Sequence, residues 1–264
     1  MFFSARKDIA YRLKTNVQAV FAPKFTLTEA ETETMQVSLN KLLDDVRTTT
    51  DQSLLLINTV HLLSEDFSAE IAPYRDTEVL MNVCLQESYA LLSRQLDELF
   101  GEKLYIRSAY RTEGEQRDEV EANAENATQV GASEHQAGLA LDVYVPYYAG
   151  SAFLKTEAGR YVNEHCHEFG FIIRYPSFGK SVTGIAFEPW HLRYVGAPHA
   201  EIIAENFLTL EEYIEMLEIG VIYQYGGYYI TRQRGDSFTI PTTYEYAVIS
   251  EDNTGTYILT FKSE

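Results

Sequence analysis

The stretch G-A-S-E-H-Q-A-G-L-A-L-D, residues 131–142, sets an imidazole, His135, seven positions ahead of a carboxylate, Asp142. Between them Gly138 interrupts the chain, and Leu139, Ala140 and Leu141 form a small apolar run. That is the pattern of a ligand-bearing loop turning into a buried strand. A second imidazole, His191, stands in F-E-P-W-H-L-R-Y with Glu188 three residues before it. Two histidines, one carboxylate and a nearby glutamate are the parts of a hydrolytic zinc centre that keeps one coordination position open. Glu188 is then the candidate general base. Arg111, at the end of a strand expected over Leu104–Ile106, has the planar fork of donors that clamps a carboxylate.

The rest of the composition narrows the setting. The 264 residues are 45% hydrophobic, enough to bury one large core or two modest ones. Lys and Arg number 21 against 39 Asp and Glu, a net charge of -18 that repels nucleic acid and anionic membrane surfaces. No apolar run approaches a membrane span, and Phe2 and Phe3 are followed at once by Ser4, Arg6 and Lys7, so no export signal is expected in the chain as given, which suits a cytoplasmic protein or an ectodomain whose signal or anchor lies outside it. Two cysteines, Cys84 and Cys166, exclude a disulfide framework and leave a single Cys84–Cys166 bridge open.

Along the chain, residues 1–25 show no clear period and read as an arm. Thr26 or Thr28 would cap a helix carrying Met35, Val37, Leu39, Leu42, Leu43 and Val46 and ending near Thr48. Leu54–Ile57 suits a buried strand. A stronger helix follows Asp76 and Thr77 and stops at Gly101. The polar segment from Glu113 to Gln129 is a surface loop or solvated helix. Strand character over Leu139–Val145 gives way to helical signals over Phe153–Phe169, then to strands over Phe171–Ile173 and over Ala186–Tyr194, the last carrying Glu188 and His191. Pro198 opens one further helix; Thr209, Glu211 and Glu212 cap another. From Val221 the chain turns tyrosine-rich, with Tyr244, Tyr246 and Val248 on one face of a strand and Tyr257, Leu259 and Phe261 on one face of the next. The expected division is an arm and helix over 1–50, a catalytic domain over 51–220 and a small β appendage over 221–264.

Four motifs then share one resemblance. S-A-Y-R-T-E-G-E-Q at 108–116, G-x-S-x-H-x-x-G-x-A-x-D at 131–142, F-G-F-I-I-R-Y-P at 169–176 and E-P-W-H-L-R-Y-V-G at 188–196 closely resemble the VanY-type zinc D-alanyl-D-alanine carboxypeptidases. That family shares its superfamily with lysostaphin-like peptidases and the hedgehog signalling domain. The resemblance runs from about Leu54 to Leu217 and implies an α+β fold, with helices on one side of a central, mainly antiparallel sheet whose face holds the zinc. It implies one zinc ion bound by His135, Asp142 and His191, with Glu188 as base. It further implies that Arg111, Gln116 and Ser133 hold the peptide end, Arg111 also facing the developing oxyanion, and that Trp190 walls the pocket. The implied substrate is a stem peptide of peptidoglycan or its precursor, losing a terminal D-alanine, and the implied setting is extracellular or cell-envelope. Ala109 and Thr112 stand where Gly and Ser are commoner in the family.

The same site would serve an L,D-carboxypeptidase or a D,D-dipeptidase, and the same fold a cell-wall peptide-binding protein without turnover. A closed structural zinc site is disfavoured because the donor set leaves a position open. Glu164, His165, Cys166 and His167 read as a helix end, since residues one and two apart on a helix point in different directions. His61 and His199 read as ordinary surface or loop residues. Arg193 reads as a support for the ligands or a salt-bridge partner.

Overall fold

The computed structural model describes residues 2–22, 27–122 and 128–264. In chain order the elements are α1 (Phe2–Phe21), β1 (Thr28–Glu29), β2 (Thr34–Ser38), α2 (Leu39–Leu43), β3 (Thr48–Asp51), β4 (Ile71–Pro73), β5 (Leu80–Asn82), α3 (Gln86–Phe100), β6 (Tyr105–Ser108) and α4 (Glu113–Ala122). There follow β7 (Ala140–Tyr144), α5 (Glu157–His165), β8 (Phe171–Ile173), α6 (Lys180–Thr183), β9 (His191–Tyr194), α7 (His199–Glu205), α8 (Leu210–Met216), β10 (Ile222–Tyr225), β11 (Tyr228–Gln233), β12 (Ser237–Pro241), β13 (Tyr246–Glu251) and β14 (Tyr257–Lys262). The chain divides into two compact units, one of residues 1–23 with 57–211 and one of residues 24–56 with 212–264.

The first unit is built on a four-stranded antiparallel sheet of order β6-β7-β9-β8. Strand alternation gives that sheet two different faces. Leu141, Val143, Phe171 and Leu192 turn to one side, where they pack with Leu92 and Leu96 of α3 and Ala158 and Val162 of α5. Asp142, His191 and Arg193 fall on the other side of the pleat. The helices therefore cover one face and leave the opposite one for chemistry, the α+β arrangement expected. Helix α3 buries Tyr89, Ala90, Leu92 and Leu96 and stops at Gly101, whose φ of 64° is the left-handed conformation glycine adopts without strain. Its start is later than expected, because Leu80–Asn82 pair with β4 instead.

The second unit holds a six-stranded sheet of order β1-β10-β11-β14-β13-β3 and a separate pair, β12 with β2. The tyrosine-rich strands thus do not stand alone: residues 28–51 supply three strands to this unit. The helix expected over 26–48 is replaced by β1, β2, the short α2 and β3. Val37 lies opposite Phe238 and Met35 opposite Ile240, so strand pairing overrides an imperfect helical stripe rich in flanking threonines. Val37 and Leu42 of that stripe are buried in the core and Leu39 packs against it; Val46 is 98% exposed. Leu54–Ile57 is buried as expected but forms no strand. Ala247 and Ile249, not Tyr246 and Val248, turn inward from β13, where they meet Leu259 and Phe261.

Residues 2–21, expected as an irregular arm, are helical. Ile9, Leu13 and Val17 recur at helical spacing but are exposed, whereas Tyr11 and Thr15 are half-buried. Thr26 and residues 123–127 of the polar segment lie outside the described residues; Glu113–Ala122 of that segment is the solvated helix α4. Cys84 and Cys166 are not bridged, and burial pushes the Cys166 thiol up to about 12, so it is an inert core group. His199 is also buried rather than superficial.

Candidate metal centre

Strand register brings the site together. Asp142 on β7 lies directly opposite His191 on β9 and, across the other neighbour, opposite Ser108 on β6. His135 arrives from a tight 3-10 turn over Glu134–Ala137 that precedes β7. Gly138 closes the turn at φ 65°, and a Cβ there would stand 2.8 Å from the Asn82 nitrogen and against the Ile71 side chain. Only glycine fits that approach.

The donor atoms are oriented by their far-side bonds. Nδ1 of His135 donates to the Ala109 carbonyl at 2.6 Å, which leaves the lone pair on Nε2. That Nε2 is 3.6 Å from Asp142 Oδ2, and Asp142 Oδ1 is 3.2 Å from His191 Nδ1. The carboxylate thus turns one oxygen toward each imidazole. One ligand atom from each of the three residues lies within 4.8 Å of the others, and Asp142 Oδ1 is buried with no hydrogen-bond partner. Neutral imidazoles with one carboxylate suit zinc, and the residues fit the ion.

The electrostatics also call for a cation. Burial works against charge on His191, yet Asp142, Glu134 and Glu188 outweigh it and raise its pKa to about 9. Burial likewise opposes ionisation of Asp142, but the two imidazoles that face it hold it well below the usual carboxylate range. Glu188 shifts the other way: burial and the neighbouring Asp142 charge raise it, with His191 opposing. Its Oε2 is 3.6 Å from His191 Nδ1, so the carboxylate borders the place where the ligands converge. Glu188 lies in the turn before β9 rather than on the strand expected over Ala186–Tyr194. Its N–H donates to the Tyr175 carbonyl at 3.1 Å and its carbonyl accepts from His191 N–H at 3.2 Å, which fixes the turn.

Arg111 is held at the same edge. Its N–H donates to the His135 carbonyl at 3.0 Å, and its guanidinium donates to Ser108 Oγ at 3.1 Å and Gln116 Oε1 at 2.8 Å. Gln116 is fully buried and spends its other amide end on the Thr128 carbonyl at 2.7 Å. It therefore supports Arg111 from behind, where the sequence suggested a direct hold on the peptide. Ser133 is buried at the head of the turn, and Trp190 is half-buried with its ring packed against the first unit's core.

Glu134, Arg174 and Glu211 escaped the sequence reading. Glu134 Oε1 accepts from Arg174 Nε at 2.6 Å and Arg193 Nη1 at 2.7 Å, all three side chains being at most 1% exposed. Arg174 also grips Glu211 bidentately at 2.6 and 2.9 Å, so Glu211 is an ion-pair partner and not merely a helix-cap residue. Burial opposes the Glu134 charge, and the two guanidiniums outweigh it, holding the carboxyl well below its usual range. The available signal was position: Glu134 adjoins His135, and Arg174 and Arg193 sit inside two of the motifs.

Residues 81–197 match the VanY family, described as D-alanyl-D-alanine carboxypeptidase. The chain is 32% identical over 233 residues to a D-alanyl-D-alanine carboxypeptidase of Enterococcus faecium, covering 79% of this chain and 75% of the other. It is similar in structure to the vancomycin-resistance D,D-pentapeptidase VanY of a VanB-type resistance cassette, solved in complex with Zn(II), at 28% identity and a TM-score of 0.53 over 61% of this chain and 98% of that one. The vancomycin-resistance D,D-dipeptidase VanXYg, solved with a D-Ala-D-Ala phosphinate analogue, shares the fold at a TM-score of 0.66 and 23% identity, over 88% of this chain and 100% of that one.

Proposed function

The chain belongs to the VanY family of zinc D-alanyl-D-alanine carboxypeptidases, and we propose that His135, Asp142 and His191 hold its zinc ion while Glu188 serves as general base. The observation that carries this is the β7–β9 register, which sets Asp142 against His191 with His135 Nε2 on one side and Glu188 on the other. Zinc held there would supply a Lewis acid able to activate water near neutral pH and to polarise the scissile carbonyl.

The chain's own groups do the remainder. Glu188, raised above the ordinary carboxylate value, takes a proton from the attacking water and returns it to the nitrogen of the departing D-alanine. Base catalysis of this kind contributes on the order of 100 to 10,000-fold in rate. Arg111, locked by Ser108 and Gln116, keeps guanidinium donors for the terminal carboxylate of the peptide or for the developing oxyanion. From the motifs they occupy, Ser133 and Trp190 are assigned as further substrate contacts. The substrate is a peptidoglycan stem peptide or its precursor ending in D-Ala-D-Ala.

Mass spectrometry of products from three substrates tests the assignment: a pentapeptide ending in D-Ala-D-Ala, a tetrapeptide ending in an L,D bond, and free D-Ala-D-Ala. Loss of one alanine from the pentapeptide, faster than cleavage of the other two, is the expected result. Cleavage confined to the dipeptide or to the L,D-tetrapeptide overturns the substrate assignment.

A further inference from the structure

Glu134 immediately precedes a proposed metal ligand, yet its carboxylate serves the other histidine. Its Oε2 lies 3.7 Å from His191 Nε2, about 0.5 Å beyond the usual hydrogen-bond limit. These two atoms are buried, and neither has a hydrogen-bond partner among the described residues. The opposite oxygen, Oε1, is occupied by Arg174 and Arg193, which leaves Oε2 to face the imidazole.

We propose that Glu134 is a positioning residue that accepts the Nε2 proton of His191 and so keeps the Nδ1 lone pair of that ring directed at the metal. The inference rests on the reading of His191 as a zinc ligand through Nδ1. A neutral imidazole carries one N–H, and whichever nitrogen donates to a fixed acceptor leaves the other as ligand. His135 uses the same device in mirror image, with Nδ1–H on the Ala109 carbonyl and Nε2 free to bind. One 3-10 turn thus equips both rings: His135 is itself a ligand, and its neighbour Glu134 orients the second. Glu134 and Glu211 balance Arg174 and Arg193 in charge, so the carboxylate is already neutralised by guanidinium groups and its contribution at the metal is orientation.

The chemistry requires a carboxylate. In Glu134→Gln the amide oxygen has to stay against the two arginines, both of which are donors, and the NH2 then faces His191 Nε2. Donor meets donor unless the ring moves its proton to Nδ1, which disables the ligand atom. Zinc affinity by chelator competition, melting temperature with and without zinc, and histidine 15N NMR read this out separately. Glu134→Gln is expected to weaken zinc binding about 10 to 100-fold, to shrink the zinc-induced rise in melting temperature and, in the neutral ring, to shift the His191 proton from Nε2 to Nδ1, while the metal-free melting temperature falls as well because two buried arginines lose a counter-charge. If the unbalanced arginines prevent folding, the double variant Glu134→Gln/Arg193→Met removes one positive charge with the negative one and gives the same readout. Wild-type zinc affinity in either folded variant overturns the proposal, including where the metal-free melting temperature has dropped. Asp142→Asn separates the two levels. If the wild type binds no zinc, or Asp142→Asn binds as tightly as it does, the zinc reading itself fails; if only the Glu134 variants match the wild type, positioning alone fails.

Discussion

Each unit of this protein buries a carboxylate against arginine, and the two clusters are finished differently. In the second unit Asp252 is fully buried in the turn between β13 and β14. Its Oδ1 accepts from Thr254 N and Thr254 Oγ1, both at 2.8 Å, and from Thr256 N at 3.3 Å. Its Oδ2 accepts from Arg232 Nε at 2.8 Å and from Thr256 Oγ1. Both oxygens are fully used, and Arg232 goes on to bond the Ile214 carbonyl and Thr254 Oγ1. In the first unit Glu134 Oε2, Asp142 Oδ1 and His191 Nε2 are buried without hydrogen-bond partners. A saturated buried charge holds a turn together; three buried polar atoms with capacity to spare, gathered on two imidazole-facing carboxylates and an imidazole, suit a place where a proton or a metal is handled.

The comparison breaks if the saturated cluster affects catalysis. Asp252→Ala leaves Arg232 without its counter-ion and the turn without its anchor, and is expected to destabilise the protein by about 3 kcal/mol. Denaturant unfolding checks the loss; zinc content and D-alanine release per folded molecule should stay at wild-type values. A large drop in either would show that the two clusters are not separable as scaffold and site.

A smaller effect sharpens the same division. His199 belongs to the scaffold of the first unit, and burial pushes its pKa down to about 3. The native state favours the neutral ring, so its stability is complete above the unfolded-state pKa near 6.5 and declines as pH falls from there toward 3. Between pH 7 and pH 5 the linked loss is about 2 kcal/mol. Replacing the ring with an uncharged one, His199→Gln, should flatten that acid limb in urea titrations, and an unchanged slope would assign the limb to other groups.

How much of this was legible in the sequence follows from the range of each interaction. The His135-to-Asp142 motif is local, a turn feeding a strand, and its residues alone suggested a ligand pair. Leu92, Leu96 and Gly101 announced the body and end of α3 for the same reason. The helix expected over residues 26–48 failed because its segments pair with strands near residues 222–248, a choice made by partners far along the chain. Helix α1 carried a signal in Ile9, Leu13 and Val17 at four-residue spacing, set among charged and polar residues that obscured it. The strand expected to carry Glu188 is shorter, since Pro189 and Trp190 form a turn just before His191. Glu134 stayed silent although it lies inside the quoted motif: its partners Arg174 and Arg193 come from beyond β8 and from β9, and only the folded register shows that they share one oxygen.

In the proposed reaction Glu188 acts as a base beside a metal that it does not bind. The most direct test compares wild type with Glu188→Gln at equal zinc content, following D-alanine release from a pentapeptide ending in D-Ala-D-Ala. The variant is expected to retain its zinc and to release D-alanine at least about 100-fold more slowly. Wild-type release by Glu188→Gln, or loss of zinc on that substitution, would contradict it.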